Sequence, residues 1–545
     1  MVRLPVYISV GVLLAATATA QPKTLRVPQD LPTVQSGIDA AVDGDTILVA
    51  EGIYSVNLLL TKKVTLGSLY IVDGDAAHIS RTILDGGTPA IADSASVIRI
   101  GPGTDTTTAV IGFTIFNGKG TISTEPLDGS LWVMGGGIFF MPGAGARISH
   151  NVITYNSVTS LDRGTAGAGI GISTGGSIGF WIIEHNQIVH NMNTYQGVKP
   201  SLGASGGGAW LTQSGRFEGN VVSDNYGIAY TYTTGGGIEW GASLGTGAAT
   251  IAFTNNRIQN NGATIGAGLL IYAMPPGSDY PICTLTNNII GNNTSVAASN
   301  SSVGSAALHI ISGRYTLVNN TIAGNAGEAA IWLEKERGPL AFNLLNNIIW
   351  NPSANSEIYP LLYVAGSYND CRAAIPGSNN ISSDPLFIST HPDSLGWFQA
   401  GSPCVDAGSD TATVGGVLLS APPRDYYAHD RSRGGKPDIG AFEDGPWSGI
   451  RDMGGLIPPT FALDQNFPNP FNPSTAIRFE VPVATHVRLV AYDLLGREVA
   501  VLVDEKKAPG NYGIRFDASG LASGVYVYRL VGGDFVQTRK MTLVR

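Results

Sequence analysis

Asn186-Gln-Ile-Val-His-Asn191 returns 34 residues later as Asn220-Val-Val-Ser-Asp-Asn225, and again as Asn256-Arg-Ile-Gln-Asn-Asn261. The pattern Asn-x-(Ile/Val)-x-x-Asn also begins at Asn151, Asn288, Asn320 and Asn346, and ends at Asn156, Asn293, Asn325 and Asn351. Successive starting points lie 35, 34, 36, 32, 32 and 26 residues apart, and a degenerate copy runs from Gly112 to Asn117. A second motif accompanies it, a cluster of small residues before a short apolar segment. Examples are Gly135-Gly-Gly-Ile138, Gly167-Ala-Gly-Ile170, Gly206-Gly-Gly-Ala209, Gly235-Gly-Gly-Ile238 and Gly266-Ala-Gly-Leu269, continued by Ser305-Ala-Ala-Leu308 and Glu328-Ala-Ala-Ile331. Repetition at this period is the mark of a solenoid, in which each unit buries its apolar face against the next.

The apolar residues alternate and are flanked by Gly and Asn, which predicts strands rather than helices. Stacked at the strand spacing of about 4.8 Å, the repeats place Ile153, Ile188, Val222, Ile258, Ile290, Ile322 and Ile348 in one inward ladder. Asn at both ends of the motif has two expected uses. It tolerates the left-handed conformation at a turn, and its amide can bond the Asn one coil above and below. These asparagines are therefore read as structural.

This arrangement resembles the pectin-lyase-like right-handed parallel β-helix family over roughly residues 24–445. The resemblance implies an all-β solenoid with a short N-terminal capping helix, here the apolar pattern from Leu31 to Ala41, followed by a strand at Gly44–Ala50. The segments Asn380–Phe387, Ser402–Gly408 and Asp438–Glu443 resemble the closing part of secreted bacterial β-helix proteins. Calcium is a possible cofactor there through Asp406, Asp438 and Glu443, since hard cations take oxygen ligands. Turn-stabilising carboxylates are the plainer reading.

From about Ile457 the Gly clusters vanish, and short alternating strands are expected at 475–481, 486–492, 498–503, 512–517, 524–530 and 535–543, forming a small antiparallel, immunoglobulin-like sandwich. Four strings, Asn466-Phe-Pro-Asn-Pro-Phe-Asn-Pro-Ser474, Tyr492-Asp-Leu-Leu-Gly-Arg-Glu498, Leu521-Ala-Ser-Gly-Val-Tyr526 and Thr538-Arg-Lys-Met541, closely resemble the type A sorting domain of type IX secretion. The resemblance implies recognition by an outer-membrane export machine and a secreted or cell-surface location. Arg539, Lys540 and Arg545 make the terminus locally basic, as a solvated strand edge would.

The bulk properties agree. Charged residues are 13%, hydrophobic residues 43%, and Gly is 71 of 545 residues, which fits an ordered chain with many tight turns. A formal charge of −9 without basic clusters argues against a nucleic-acid partner. Arg3, the apolar run Val6–Ala16 and Ala18-Thr19-Ala20 read as a signal peptide cleaved between Ala20 and Gln21. No other apolar run is long enough to span a bilayer, so the mature chain is expected to carry no transmembrane segment. The expected organisation is a signal peptide at 1–20, the β-helix at 21–445, a linker at 446–457 and the sorting domain at 458–545. Of the three cysteines, Cys371 and Cys404 are candidates for a disulfide, while Cys283 reads as a small core residue.

On the strand after each small-residue cluster, the residue between two inward positions must point outward. Along the stack these are Phe139, Gly171, Trp210, Glu239, Leu270, His309 and Trp332, an expected exposed stripe suited to stacking sugar rings. Glu239 and His309 lie two coils apart, roughly 10 Å, too far to act on one bond together. Acidic residues are too sparse in the coils to nominate the carboxylate pair that a glycosidase needs. The sequence therefore favours binding of extracellular polysaccharide over catalysis. A polysaccharide lyase or hydrolase, and a structural spacer or adhesin, are the alternatives.

Overall fold

The computed structural model describes residues 21–544 except 125–128, 174–178, 198, 200–201, 230–231, 243–248, 274–279, 296–303, 337–338, 388–397, 400, 432–434, 444–450, 453–460, 467–468 and 472. The signal segment, with Ala20, and most of the expected linker therefore lie outside the described residues.

Three long parallel sheets form the walls of a parallel β-helix, with 13, 11 and 10 strands. The first sheet opens with Thr24–Val27 and passes through Arg147–Ser149, Trp181–Glu184 and Gly215–Glu218. The second contains Val152–Thr154, Gln187–Val189 and Val221–Ser223, and the third Ile138–Phe140, Ile170–Ile172 and Ala209–Thr212. Each interior coil visits all three sheets; the terminal strands Thr24–Val27 and Gly377–Ser378 extend the first sheet alone. Alternation along the strands sends Ile148, Ile183, Phe217, Phe253 and Leu285 inward from the first wall and Ile153, Ile188, Val222, Ile258 and Ile290 from the second, all fully buried in one core. The third wall adds Ile138, Ile170, Ile238, Leu269 and Leu308. The N-terminal end is closed by the helix Val34–Ala40, whose first turn is capped by the Thr33 side chain accepting the Ser36 N–H. Val34 and Ile38 seat on the core, as a solenoid end requires.

The asparagine columns run the length of the stack. The backbone N–H and Nδ2 of Asn151 both donate to Oδ1 of Asn186, at 3.0 and 3.1 Å. The relation passes onward through Asn220, Asn256, Asn288, Asn320, Asn347, Asn369 and Asn380. A second column runs from Asn156 through Asn191, Asn225, Asn261, Asn293 and Asn325 to Asn351. The spare Nδ2 proton also serves the bent backbone: that of Asn220 donates to the Ile183 carbonyl at 2.8 Å.

Two details differ from the sequence reading. The left-handed residue is not the column asparagine but its predecessor: His150, His185, Asn255, Asn287, Asn319 and Asn346 before the first column, and Tyr155, His190, Asp224, Asn260 and Asn292 before the second. The column asparagine instead supplies the acceptor that the turn lacks. The seventh repeat is also one residue shorter between its asparagines, so Asn347 rather than Asn346 enters the column and Ile349 rather than Ile348 pairs with Ile322 and faces the core. Ile348 points outward and packs with Phe398, Cys404 and Ile439.

The closing segment does not stack as a further coil. It runs back over the outside of the solenoid. Asn346 Nδ2 donates to the Ser409 carbonyl, Asn319 Nδ2 to the Asp438 and Gly440 carbonyls, and the buried Arg431 donates to Asn287 Oδ1 at 2.8 Å. Asp438 accepts the Asp406 N–H at 2.7 Å, and Glu443 accepts the Asp438 N–H at 3.0 Å. These carboxylates hold turns, and among the described residues no group of three His, Cys, Asp or Glu is arranged for a metal. The expected Cys371–Cys404 disulfide is absent; all three cysteines are free and buried. Alternation explains it: Cys371 points into the core, whereas its neighbour Asp370 points outward and accepts a hydrogen bond from Cys404 Sγ at 3.1 Å. Cys283 lies in the core as expected.

Residues 462–543 supply a four-stranded and a three-stranded antiparallel sheet around a separate core that includes Ile477, Leu489, Tyr528 and Leu543, and Arg451–Asp452 brings the second sheet to four strands at one edge. The six main strands, Ser474–Val481, Thr485–Tyr492, Glu498–Lys507, Gly510–Asp517, Gly524–Gly532 and Phe535–Leu543, fall where the alternation places them.

Removing one rung of a column leaves its neighbour's buried donors unsatisfied. Asn220→Ala strips Asn186 of its acceptor and is expected to cost about 3 kcal/mol or more. Asn260→Ala at the adjoining turn, which loses only the residue suited to a left-handed backbone, should cost about 1–2 kcal/mol; equal losses in denaturant titrations would contradict the columns' role. Thiol titration should find three reactive cysteines in denaturant and none in the native protein; a native mixture carrying a Cys371–Cys404 bond would contradict this arrangement.

Candidate functional site

The predicted stripe exists in the predicted register: Phe139 pairs with Gly171, Gly171 with Trp210, Trp210 with Glu239, Glu239 with Leu270, Leu270 with His309, and His309 with Trp332. Its exposure was the error. Trp210 is 5% exposed, Glu239 4% and His309 2%, with Phe139 and Leu270 equally buried.

The cause is a roof. After the second column asparagine, the chain does not turn straight into the third sheet. It first adds strands to a five-stranded sheet (Ser157–Ser160, Met192–Tyr195, Tyr226–Ala229, Gly262–Ala263, Thr294–Ser295). It then adds strands to a six-stranded one that includes Leu131–Met134, Gly164–Ala166, Ala204–Ser205 and Thr233–Thr234. The small-residue clusters reverse the chain from the roof into the third sheet. Gly167 has φ +59°, and a Cβ there would meet the Ile170 carbonyl oxygen at 2.1 Å, so only glycine fits. Trp210 packs beneath Met134 and Ala166 and stacks against Trp132, with ring centroids 6.4 Å apart.

Glu239 clamps roof to wall. Its carboxyl accepts from the Thr234 hydroxyl at 2.6 Å and is also bonded by Ser205, Trp210 and Tyr272. Burial nevertheless dominates, and its pKa is pushed up to about 7. His309 lies between the Ser305 hydroxyl, 3.0 Å from Nδ1, and Glu334, 3.2 Å from Nε2. That is the composition of a nucleophilic triad, but Ser305 is fully buried and its oxygen already accepts the Gly266 N–H, so no substrate carbonyl can reach it.

The roof does not extend over the whole stripe. The six-stranded sheet stops at Thr233–Thr234 and the five-stranded one at Thr294–Ser295, and in the following coils the third-sheet strands lengthen to Gly327–Glu334 and Ala354–Tyr359. There the stripe emerges. The His309 ring stacks near-parallel on Trp332 at 6.4 Å, and Trp332 meets Tyr359 at 4.8 Å. Trp332 is half-buried and Tyr359 is 52% exposed. Around them stand Glu334, whose pKa is lowered chiefly by its hydrogen bond to His309, and Lys335, whose Nζ lies 6.0 Å from the centre of the Tyr363 ring. The site therefore offers an exposed tyrosine ring over a half-buried tryptophan on the adjacent rung, a carboxylate and an ammonium. Sequence reasoning missed Tyr359, Tyr363 and Glu334. Tyr359 was within reach, because Ile358 continues the inward ladder from Ile331 and puts the next residue above Trp332.

The C-terminal module has its own signature, a Pro-rich entry followed by two antiparallel sheets. Residues 465–544 match the secretion system C-terminal sorting domain. The chain is accordingly a secreted or cell-surface protein, and the sorting domain implies a type IX export machine as its partner. Among the described residues no helix is long and apolar enough to cross a membrane. No curated protein and no solved structure matches the chain.

With the Glu239 pKa raised, the folded state holds its proton more tightly than the unfolded chain. As pH rises from the ordinary 4.5 to about 7, the unfolded chain gives up this proton first, so stability falls across that window and levels above it. Glu239→Gln should remove this fall, so that denaturation midpoints at pH 5 and pH 8 lie closer together than in the wild type. Parallel pH profiles for the two proteins would show that the carboxyl is not buried as described.

Proposed function

We propose that the β-helix is the exported cargo and binds extracellular polysaccharide at the emergent end of the third-sheet stripe. The observation that carries this reading is the pair Trp332 and Tyr359, a half-buried and an exposed ring in contact on neighbouring rungs, beside Glu334 and Lys335. Sugar rings stack their apolar faces on aromatic side chains, while carboxylates and ammonium groups take their hydroxyls. Rungs about 4.8 Å apart suit a chain of sugars laid along the solenoid axis. The sorting domain brings the protein to where such polymers occur.

Binding is put before hydrolysis because the Glu334 carboxylate is committed to His309 Nε2 at 3.2 Å, a bond that lowers its pKa, whereas a glycosidase acid needs a raised one. The signal peptide at 1–20, with cleavage between Ala20 and Gln21, supplies the first export step in this reading, and residues 458–545 the second.

A glycan array probed with the mature protein tests the site. Trp332→Ala and Tyr359→Ala are each expected to weaken binding about tenfold; the melting temperature should be nearly unchanged in the exposed Tyr359 variant and modestly lowered in the half-buried Trp332 one. Trp210→Ala, under the roof, should instead cost about 3–5 kcal/mol of stability. Unchanged affinity in both ring variants would reject the site, and release of unsaturated or reducing-end sugars from a polysaccharide panel would favour an enzyme.

A further inference from the structure

The sorting domain defends one edge of a sheet and leaves the other open. In the sheet ordered Glu498–Lys507, Thr485–Tyr492, Gly524–Gly532, Phe535–Leu543, the first and last strands are the edges. The last carries Arg539 and Lys540 and is covered. The Phe471 N–H donates to the Thr542 carbonyl and the Val544 N–H to the Phe471 carbonyl, both at 2.9 Å, while Arg539 Nε donates to the Leu463 carbonyl at 3.1 Å. Charge and cover are the usual protection of an edge against pairing with another chain.

The opposite edge lacks both over half its length, its irregularity there being confined to two register shifts against Thr485–Tyr492, at Val499 and Leu502. Among the described residues no strand pairs with the outer side of Glu498–Lys507. Glu498 at the start is paired with Arg488 at 3.0 Å and charges resume at Asp504, but between them Val499-Ala-Val-Leu-Val503 carries neither charge nor proline, and Val501 is 52% exposed. The turn leading into this strand is rigid. The Asp493 carboxylate accepts the N–H groups of Leu495 and Arg497 at 2.9 and 3.0 Å and the Arg497 Nε at 2.7 Å. It thereby holds Leu494 and Leu495 in water, 70% and 79% exposed. An apolar open edge beside two fixed, exposed leucines is what strand addition by a partner requires: backbone hydrogen bonds along the edge and a pocket for the flanking side chains.

We propose that Glu498–Val503 is a docking edge that receives an extended strand of the outer-membrane export machine, with Leu494 and Leu495 seated in an apolar pocket of the same partner. This rests on the sorting-domain match, which implies that machine as a partner of this module. Edge pairing alone would serve a second copy as well; the projecting leucines call for a partner that offers a pocket next to its strand.

The test uses the full-length precursor in a bacterium carrying the type IX system, fractionated into periplasm, surface and medium. Val501→Lys, and separately the double change Leu494→Glu with Leu495→Glu, are expected to lower the exported fraction about tenfold. Val536→Lys, at an exposed position on the defended edge strand, should export normally. A photo-crosslinker at position 501 should join the chain to an outer-membrane protein. Normal export of folded Val501→Lys protein, or crosslinks only to a second copy of the chain, overturns the proposal. If Val501→Lys lowers the melting temperature, the turn variant, which lies outside the strands, decides instead. Deleting 458–545 separates the two ideas. If the truncated chain still reaches the surface, the sorting reading fails. If it is trapped while both edge variants travel normally, only the docking edge fails.

Discussion

One hydrogen-bonding unit is repeated until it becomes an architecture. Each column asparagine takes two donors from the coil before it on a single buried oxygen and gives its own two donors to the coil after it. A sharp turn between two short strands leaves a backbone N–H that no strand can satisfy, and burying it unpaired would cost more than most side chains contribute. Asparagine resolves this because its amide has the donor and acceptor in the same plane as a peptide and can repeat at the rung spacing. With the two corners fixed, strands of only three residues suffice for the second wall, and the inward isoleucines are brought into register without choice.

The columns also fix where elaboration is tolerated. Where the columns run, the corner between the first and second walls holds just two residues in each coil, as between Ser149 and Val152 or Glu184 and Gln187; ahead of them, where no asparagine fixes the turn, the corner between Thr65–Ser68 and Thr82–Asp85 has taken in the helices Tyr70–Asp73 and Ala77–Arg81. The connection from second to third wall lies beyond the second column and is free to lengthen, and it has become the roof. Glu239 shows the energetic consequence: a carboxyl placed under that roof must be bonded from several sides, and even then burial favours its protonated form.

The fold was legible because the columns are written in residue types that nothing else would repeat at this spacing. The register of the stripe was legible for the same reason. What failed was each inference that needed knowledge of what lies outside the wall. Alternation says that Trp210 points away from the core; it cannot say that Met134 and Ala166 lie above it. A signal was nonetheless present. Gly135, Gly167, Gly206, Gly235 and Gly266 all adopt positive φ where the chain returns from the roof, and the clusters lose their glycines at Ser305 and Glu328, where the roof is ending. The one-residue slip at Asn346 was hidden by an Asn-Asn pair in which either residue fits the pattern, and only the shortened spacing to Asn351 distinguishes them. The supposed disulfide failed on direction, since adjacent positions 370 and 371 face opposite sides of one wall.

The second column does not end on another asparagine. Asn351 gives its N–H and Nδ2 to the carboxylate of Glu357, which is held in turn by Arg372 Nε at 2.6 Å. Because every amide in the row points the same way, the row has a donor end, electrically akin to the start of a helix, and a buried anion sits against it. The row is thus polar and terminated. Gene duplication could lengthen this solenoid by copying an interior coil, which both accepts and donates, but no further asparagine could join this row beyond Asn351 without first discarding the charge that closes it.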